Sequence, residues 1–391
     1  MQPDLAAPAP VARSERVSSL DALRGFALLG ILLMNILGFA MHFAAYGNPT
    51  VAGGSTGANF AAWLVMHVFA EGKMRCLFSL VFGASMILLT SRLEQRGGAL
   101  SSADLWYRRI LWLLVFGLAH AYLLWVGDIL YPYALCGLAL YPFRRMSARG
   151  LMLVAAGFIV LQSAVQVGLG FETRRNMELA RQAVLAEKEG RKATPEQEEG
   201  KQKWEEARKL WQPSKEELEK DAQAWRGGFL QVMKERARQL SFWHGAPYYS
   251  PWHWDAWSMM FLGMAMMKLG VLSAARSRRF YLWLVVAGYA IGVAVNSYTA
   301  SVMLRTGFDL PTRYFLASAY DAGRLSVAAA HMAVLMLLCQ AGIARRLLAA
   351  LAAVGQMAFS NYVLQSLICS TIFYGYGLGL YNRLERMQLY Y

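Results

Sequence analysis

Residues 20–35 read LDALRGFALLGILLMN, and the apolar run that starts here continues to Phe43. A helix rises ~1.5 Å per residue, so about 20 apolar residues cross a ~30 Å hydrocarbon core. The run is longer than a signal-peptide core and has no small-residue cleavage site at its end, so it reads as a first membrane span that stays in the protein. Yet it carries a carboxylate, Asp21, a guanidinium, Arg24, and an amide, Asn35. Polar groups at membrane depth are costly and face the bundle interior or a wet cavity. Asp21 and Arg24, three residues apart on one face, are expected to pair at the helix start, and Asn35, three turns on, to point into a central cavity.

The composition extends this reading. The chain has 391 residues, 57% of them hydrophobic, which is too apolar for a soluble protein of this size. Residues 171–240 concentrate 16 basic and 14 acidic residues. Most of the remaining positive charge is Arg at short turns between apolar runs, so the net charge of +14 does not describe a nucleic-acid-binding face. Cys76, Cys136, Cys339 and Cys369 lie in or beside apolar runs without CxxC spacing and read as packing thiols, with no metal site expected.

Apolar runs predict an all-α polytopic membrane protein with about nine transmembrane helices, near 20–43, 74–92, 107–126, 129–143, 149–170, 252–272, 279–303, 322–342 and 347–374. An amphipathic helix is expected near 58–72. Residues 1–16 read as a flexible cytoplasmic tail, 17–170 and 251–391 as two membrane bundle halves, and 171–250 as an external, charged helical hairpin standing off the membrane. The terminal NRLERMQLYY reads as the approach to a further span. Arg13, Arg16, Arg92, Arg96, Arg108, Arg109, Arg144, Arg145, Arg149, Lys268, Arg276, Arg278, Arg279, Arg345 and Arg346 all fall on one side if the N-terminus is cytoplasmic, as the positive-inside rule requires. The expected location is a bacterial inner membrane, with lipid as the partner, nucleic acid not expected and a homo-oligomer left open.

Four polar groupings mark candidate sites. Asp21, Arg24 and Asn35 are the first. His67 and Glu71, four residues apart, let a carboxylate orient an imidazole, and Lys73 and Arg75 could hold a phosphate or carboxylate at the mouth of the second span. His120 lies about two turns before Asp128, a pairing suited to acid–base work or a proton path. In the C-terminal part, Arg313, Asp321, Arg324 and His331 precede SNYVLQS, where Asn361 and Gln365 share a face. Each grouping also has a purely structural explanation in helix capping, snorkelling or interhelical hydrogen bonding. The sequence has no P-loop, no GxGxxG after a strand, no GxSxG elbow and no HExxH.

LDALRGFALLGILLMNI, AAYGNPT, FAEGKMRCLFSLVFGAS, GLAHAYLLWVGDILYPYALCG, FLGMAMMKLGVL and VGQMAFSNYVLQS together resemble the YeiB-type family of bacterial membrane proteins, a domain of unknown function. The first span is also similar to acyltransferase-3-type membrane enzymes, which carry R/K-x10-H there; Arg24 and Asn35 have that spacing, with Asn in the His position. The lysosomal heparan-α-glucosaminide N-acetyltransferase resembles this arrangement and uses a His in the following loop, where His42 is the nearest counterpart and His67 an alternative. The resemblance implies transfer of an acyl group from acyl-CoA or another thioester, with no covalently bound cofactor, to a glycan or lipid acceptor. Catalytic candidates are then His42, His67, His120 and Asp128, and substrate-binding candidates Asp21, Arg24, Asn35, Glu71, Lys73, Arg75, Asn361 and Gln365. A proton-coupled transporter or lipid-handling protein, and an envelope scaffold, are the competing expectations.

Overall fold

A computed structural model describes residues 18–244 and 246–391, with the side chains of 96–99, 242–243 and 246–252 outside the description. The expected tail, 1–16, lies outside the described residues. Among the described residues there are helices, turns and short irregular connections but no strand. The N-terminal part comprises α1 (Ser18–Ala40), α2 (Gly57–Phe69), α3 (Lys73–Leu123) and α4 (Leu130–Leu140). Then come α5 (Ala148–Lys188), α6 (Pro195–Trp211), α7 (Lys215–Trp225) and α8 (Phe229–Trp243). The remainder is α9 (Ala246–Lys268), α10 (Arg278–Arg305), α11 (Leu310–Ala317), α12 (Tyr320–Ala341), α13 (Arg345–Gln356) and α14 (Ala358–Phe373).

Five stretches are long and apolar enough to cross a membrane: Ser18–Ala40, Gly57–Gln95, Ala148–Lys188, Arg278–Arg305 and Tyr320–Ala341. The pair α13 and α14, bent by 80°, makes a sixth. The outward faces of these helices are apolar, with Val160 67% and Trp283 71% exposed, as lipid rather than water would favour. This gives the chain the character of a membrane protein, with fewer qualifying helices than the nine expected. The shortfall has physical causes. The expected span at 129–143 is α4, whose 11 residues rise only ~16 Å. The span at 107–126 is diluted by Arg108, Arg109 and His120, and the one at 252–272 begins in polar aromatic sequence.

Helix α3 is continuous yet reverses direction. The rings of Phe82 and Trp106 lie 6.0 Å apart, whereas 24 residues of straight helix would separate them by ~36 Å. The fold-back falls between Phe82 and Trp106, so the expected second and third spans are its two arms. Between α2 and α3, Gly72 adopts φ +70°, and a Cβ there would meet Tyr320 Oη at 1.8 Å. Glycine is therefore required at the turn that delivers Lys73 and Arg75 into the bundle.

The charged insert is not independent of the membrane part. Helix α5 runs unbroken past 170, and α9 begins before 251, so both expected domain boundaries fall inside helices. Helix α6 packs on α5, with Arg175 2.6 Å from Glu196 and Lys201 2.7 Å from Glu187. Thr194 and Ser214 form capping boxes that start α6 and α7, beside Pro195 and Pro213. Helices α7 and α8 fold back onto the bundle. Trp225 stacks on Tyr374 at 4.7 Å, and Ala222, Trp225, Val232 and Leu240 belong to the principal core. The expected free-standing hairpin thus misses the apolar residues, spaced along a highly charged sequence, that anchor it.

The last residues do not prolong a helix. Asn382 N donates to Ala40 O at 2.6 Å, Arg386 N to Gly53 O at 2.8 Å, and Tyr390 Oη to Leu33 O at 3.1 Å. They cover the loop after α1.

Candidate functional site

The most chemically organised grouping joins the end of α3, the turn before α4 and the middle of α14. His120 Nδ1 lies 2.8 Å from Asp128 Oδ1, and His120 Nε2 lies 2.8 Å from Ser366 Oγ. All three residues are buried. Asp128 Oδ2 accepts the Tyr131 N–H at 2.7 Å, so the carboxylate holds the start of α4 with one oxygen while the other lies against the imidazole. The tautomer with Nδ1–H toward Asp128 leaves Nε2 to accept a proton from Ser366, the order of groups that activates a serine. Ser366 Oγ also donates to Tyr362 O at 3.1 Å, an acceptor that competes with His120 for the one hydroxyl proton, and the His120 ring packs over Tyr362 at 5.0 Å. The His120–Asp128 proximity was legible in the sequence; Ser366 was missed. Its one signal is the spacing of Tyr362, Ser366 and Ser370 on one helical face.

A second grouping lies between α2, α3, α9, α10 and α12. Lys73 is fully buried, and its Nζ donates to His67 O at 2.5 Å and Asn296 Oδ1 at 2.9 Å. Arg75 pairs with Asp255, Arg324 with Asp255 at 2.5 Å and with Asp321. Glu71 accepts from Tyr320 Oη at 3.0 Å. Three cations, Lys73, Arg75 and Arg324, thus face three carboxylates, Glu71, Asp255 and Asp321, with formal charges that cancel. Pairing of this kind is what allows ionised groups at depth. Two expectations are corrected here. Lys73 and Arg75 are not an open basic pair for an anion, because interior partners already take their donors. Glu71 does not orient His67, whose Nε2 lies 3.4 Å from Thr299 Oγ1 and whose ring stacks on Trp63 at 5.3 Å. Asp255 was missed, hidden in the aromatic stretch WHWDAW.

The remaining candidates lie elsewhere. Arg24 pairs with Asp21 at 2.6 Å, as expected, and also donates to Ser85 Oγ at 2.9 Å and Gly355 O at 3.3 Å. Asn35 is half-buried, joins neither grouping and makes no side-chain hydrogen bond among the described residues. His42 caps a short turn, accepting the Ala44 N–H at 3.2 Å; burial lowers its pKa, opposed by the field of Asp221. Asn361 donates to Val354 O at 3.1 Å, and Gln365 makes no side-chain hydrogen bond among the described residues. The expected shared cavity of Asn35, His67, Lys73 and Asp128 does not form, because each buried polar group finds its complement on the nearest helix. Among the described residues no cluster of His, Cys, Asp and Glu is arranged to hold a metal ion.

Comparison with known proteins places the chain. It is 30% identical over 382 residues to the uncharacterized protein YeiB of Escherichia coli (strain K12), covering 96% of this chain and 87% of YeiB. It is 28% identical over 389 residues to the uncharacterized protein YxaH of Bacillus subtilis (strain 168), covering 96% and 85%. No solved structure matches. Residues 266–391 match the family model described as a protein of unknown function, DUF418. With similarity to YeiB running through both the His120 and the Lys73 groupings, the chain is a member of the YeiB family.

Proposed function

We propose that the chain is a membrane-embedded acyltransferase in which Asp128, His120 and Ser366 carry the transfer. The supporting observation is the alignment of a carboxylate 2.8 Å from one imidazole nitrogen and a hydroxyl 2.8 Å from the other, all three buried. In the first step His120 Nε2 takes the Ser366 proton while Oγ attacks the carbonyl of an acyl thioester. The C–S bond breaks, and the thiolate leaves with the proton from His120. An acceptor hydroxyl or amine of a glycan or lipid then attacks the seryl ester, giving its proton to His120, which returns it to Ser366. Asp128 stabilises the imidazolium in both steps. Because Ser366 is 1% exposed, this reading requires α14 to shift at its break with α13 before the donor can enter.

A fluorophosphonate probe tests this without knowledge of the donor. The purified protein should be labelled at Ser366, with labelling lost in Ser366→Ala and His120→Ala and reduced at least tenfold in Asp128→Asn. Absence of labelling in the wild type, or labelling that survives Ser366→Ala, would sink the proposal. The balanced buried charges around Lys73 favour a second reading, a proton-coupled transporter; substrate counterflow in proteoliposomes that is lost in Asp255→Asn would support it.

A further inference from the structure

Arg236 of α8 is a buried cation with no counter-ion among the described residues. It is 0% exposed, although it sits on one of the charged helices of the insert. Its Nη1 donates to Tyr122 O at 3.2 Å and touches Met233 Sδ at 3.3 Å. Its Nε and Nη2 have no hydrogen-bond partner among the described residues. The neighbouring carboxylates are committed elsewhere. Glu235 pairs with Arg238 at 2.5 Å, and Asp221 accepts from Tyr381 Oη at 2.6 Å and Trp225 Nε1 at 3.2 Å. The guanidinium carbon lies 5.5 Å from the centre of the Tyr374 ring. A ring face attracts a cation but supplies no acceptor in the plane of the guanidinium, where the orphaned N–H groups point.

The two orphaned nitrogens share one edge of the guanidinium, the side-on fork that binds two oxygens of one anion. A turn further along α8, Gln239 Oε1 is a buried acceptor with no partner, while its amide nitrogen donates to Glu235 at 3.2 Å. Donors for an oxyanion and an acceptor for a hydroxyl or ammonium therefore lie on one helical face. Beside them, at the end of α3, Tyr122 and Leu123 expose 40% and 57% of their surface, an apolar edge suited to acyl chains. We infer that Arg236 is the anchor of a phosphate-binding site at the end of the bundle covered by α8, taking the phosphate of a phospholipid headgroup or a free phosphate.

The test uses the full-length protein in delipidated neutral detergent, with dioctanoyl phosphatidylglycerol and inorganic phosphate as separate probes. The wild type should melt roughly 5 °C higher with a ~100-fold excess of a bound probe over its dissociation constant. A response to the lipid alone assigns the fork to a headgroup, and a response to inorganic phosphate alone assigns it to a soluble phosphate. Arg236→Met should lose the response and, without probe, melt no lower than wild type, since it removes a buried charge that the protein leaves unpaired. Arg236→Lys keeps the charge without the fork and should retain less than half of the shift. No response in the wild type, an equal response in Arg236→Met, a full response in Arg236→Lys, or a lower probe-free midpoint for Arg236→Met would each overturn the site. None of these readouts involves acyl transfer, so the site stands or falls separately from the role proposed for His120.

Discussion

Asp221 and His42 show how single residues respond to being covered by the insert. Asp221 accepts hydrogen bonds from Tyr381 and Trp225, but burial is the larger effect and raises its pKa above the usual carboxylate value. The folded protein therefore holds this proton more tightly than the unfolded chain, so the group's contribution to stability is present in acid and is lost as pH rises through the raised value. His42 has the opposite sign. Burial lowers its pKa from 6.5, so its contribution is present above 6.5 and is lost as pH falls through the lowered value. Asp221→Asn keeps an acceptor for Tyr381 and removes the buried charge. It should melt roughly 2–4 °C higher than wild type at pH 8, and the difference should shrink toward pH 4.5; a constant difference across that range would falsify this account. What the sequence could show at this scale was proximity along the chain. Asp21–Arg24 and His120–Asp128 were legible because only three and eight residues separate the members of each pair. Ser366, 246 residues from His120, and Asp255, 180 residues from Arg75, were not. Without them Lys73 and Arg75 looked open to an external anion.

Between elements, the governing interaction is close helix approach through glycine. On α3, a Cβ at Gly83 would meet Met260 O of α9 at 2.0 Å, and on α9 a Cβ at Gly263 would meet Leu80 O of α3 at 2.0 Å. The same reciprocal contact joins α1 to α13, where Gly25 faces Leu351 O at 1.9 Å and Gly355 faces Asp21 O at 2.0 Å. Lipid offers no hydrophobic drive for helix association, so backbone-to-backbone packing of this kind supplies it. Gly83→Ala should force α3 away from α9 and cost about 1–3 kcal/mol, read as a lower denaturant midpoint in detergent. The same substitution at Gly157, where no atom lies within 4 Å of the new Cβ, should leave the midpoint unchanged. Equal effects at the two sites would show that the α3–α9 contact adds nothing. The helical character of these elements was readable from their apolar runs, and so were most approximate bounds. The fold-back inside α3 and the continuity of α5 through residue 170 were not, because neither coincides with the proline or charge boundary used to divide them.

At the scale of the molecule, the contacts sort the loops into two ends. At one end, Ser19 Oγ bonds Leu272 O at 3.1 Å, Gln340 bonds Ala274 O at 2.8 Å, and Arg144 pairs with Glu94 at 2.7 Å. These are the loops that carry the Arg clusters. At the other end, Trp211 Nε1 bonds Phe308 O at 2.7 Å, Arg226 bonds Tyr381 O at 2.7 Å, and the His244 ring stacks on Tyr131 at 4.9 Å. The charged insert, the C-terminal segment and the loop after α1 all meet there, one helical turn from Asp128 and His120. Positive-inside orientation would put the first end in the cytoplasm and the second outside, giving a hydroxyl or amine acceptor in the envelope a short route to the His120 grouping. Glu205 and Arg279 are exposed at opposite ends. The native thiols are buried or half-buried, so they should give little background with a membrane-impermeant maleimide. In intact spheroplasts Glu205→Cys should be labelled, and Arg279→Cys should be labelled only after lysis. The reverse pattern would place the Arg-rich loops outside. It would turn the proposed acceptor side toward the cytoplasm and exclude envelope glycans as acceptors, while leaving the buried contacts of Asp128, His120 and Ser366 unchanged.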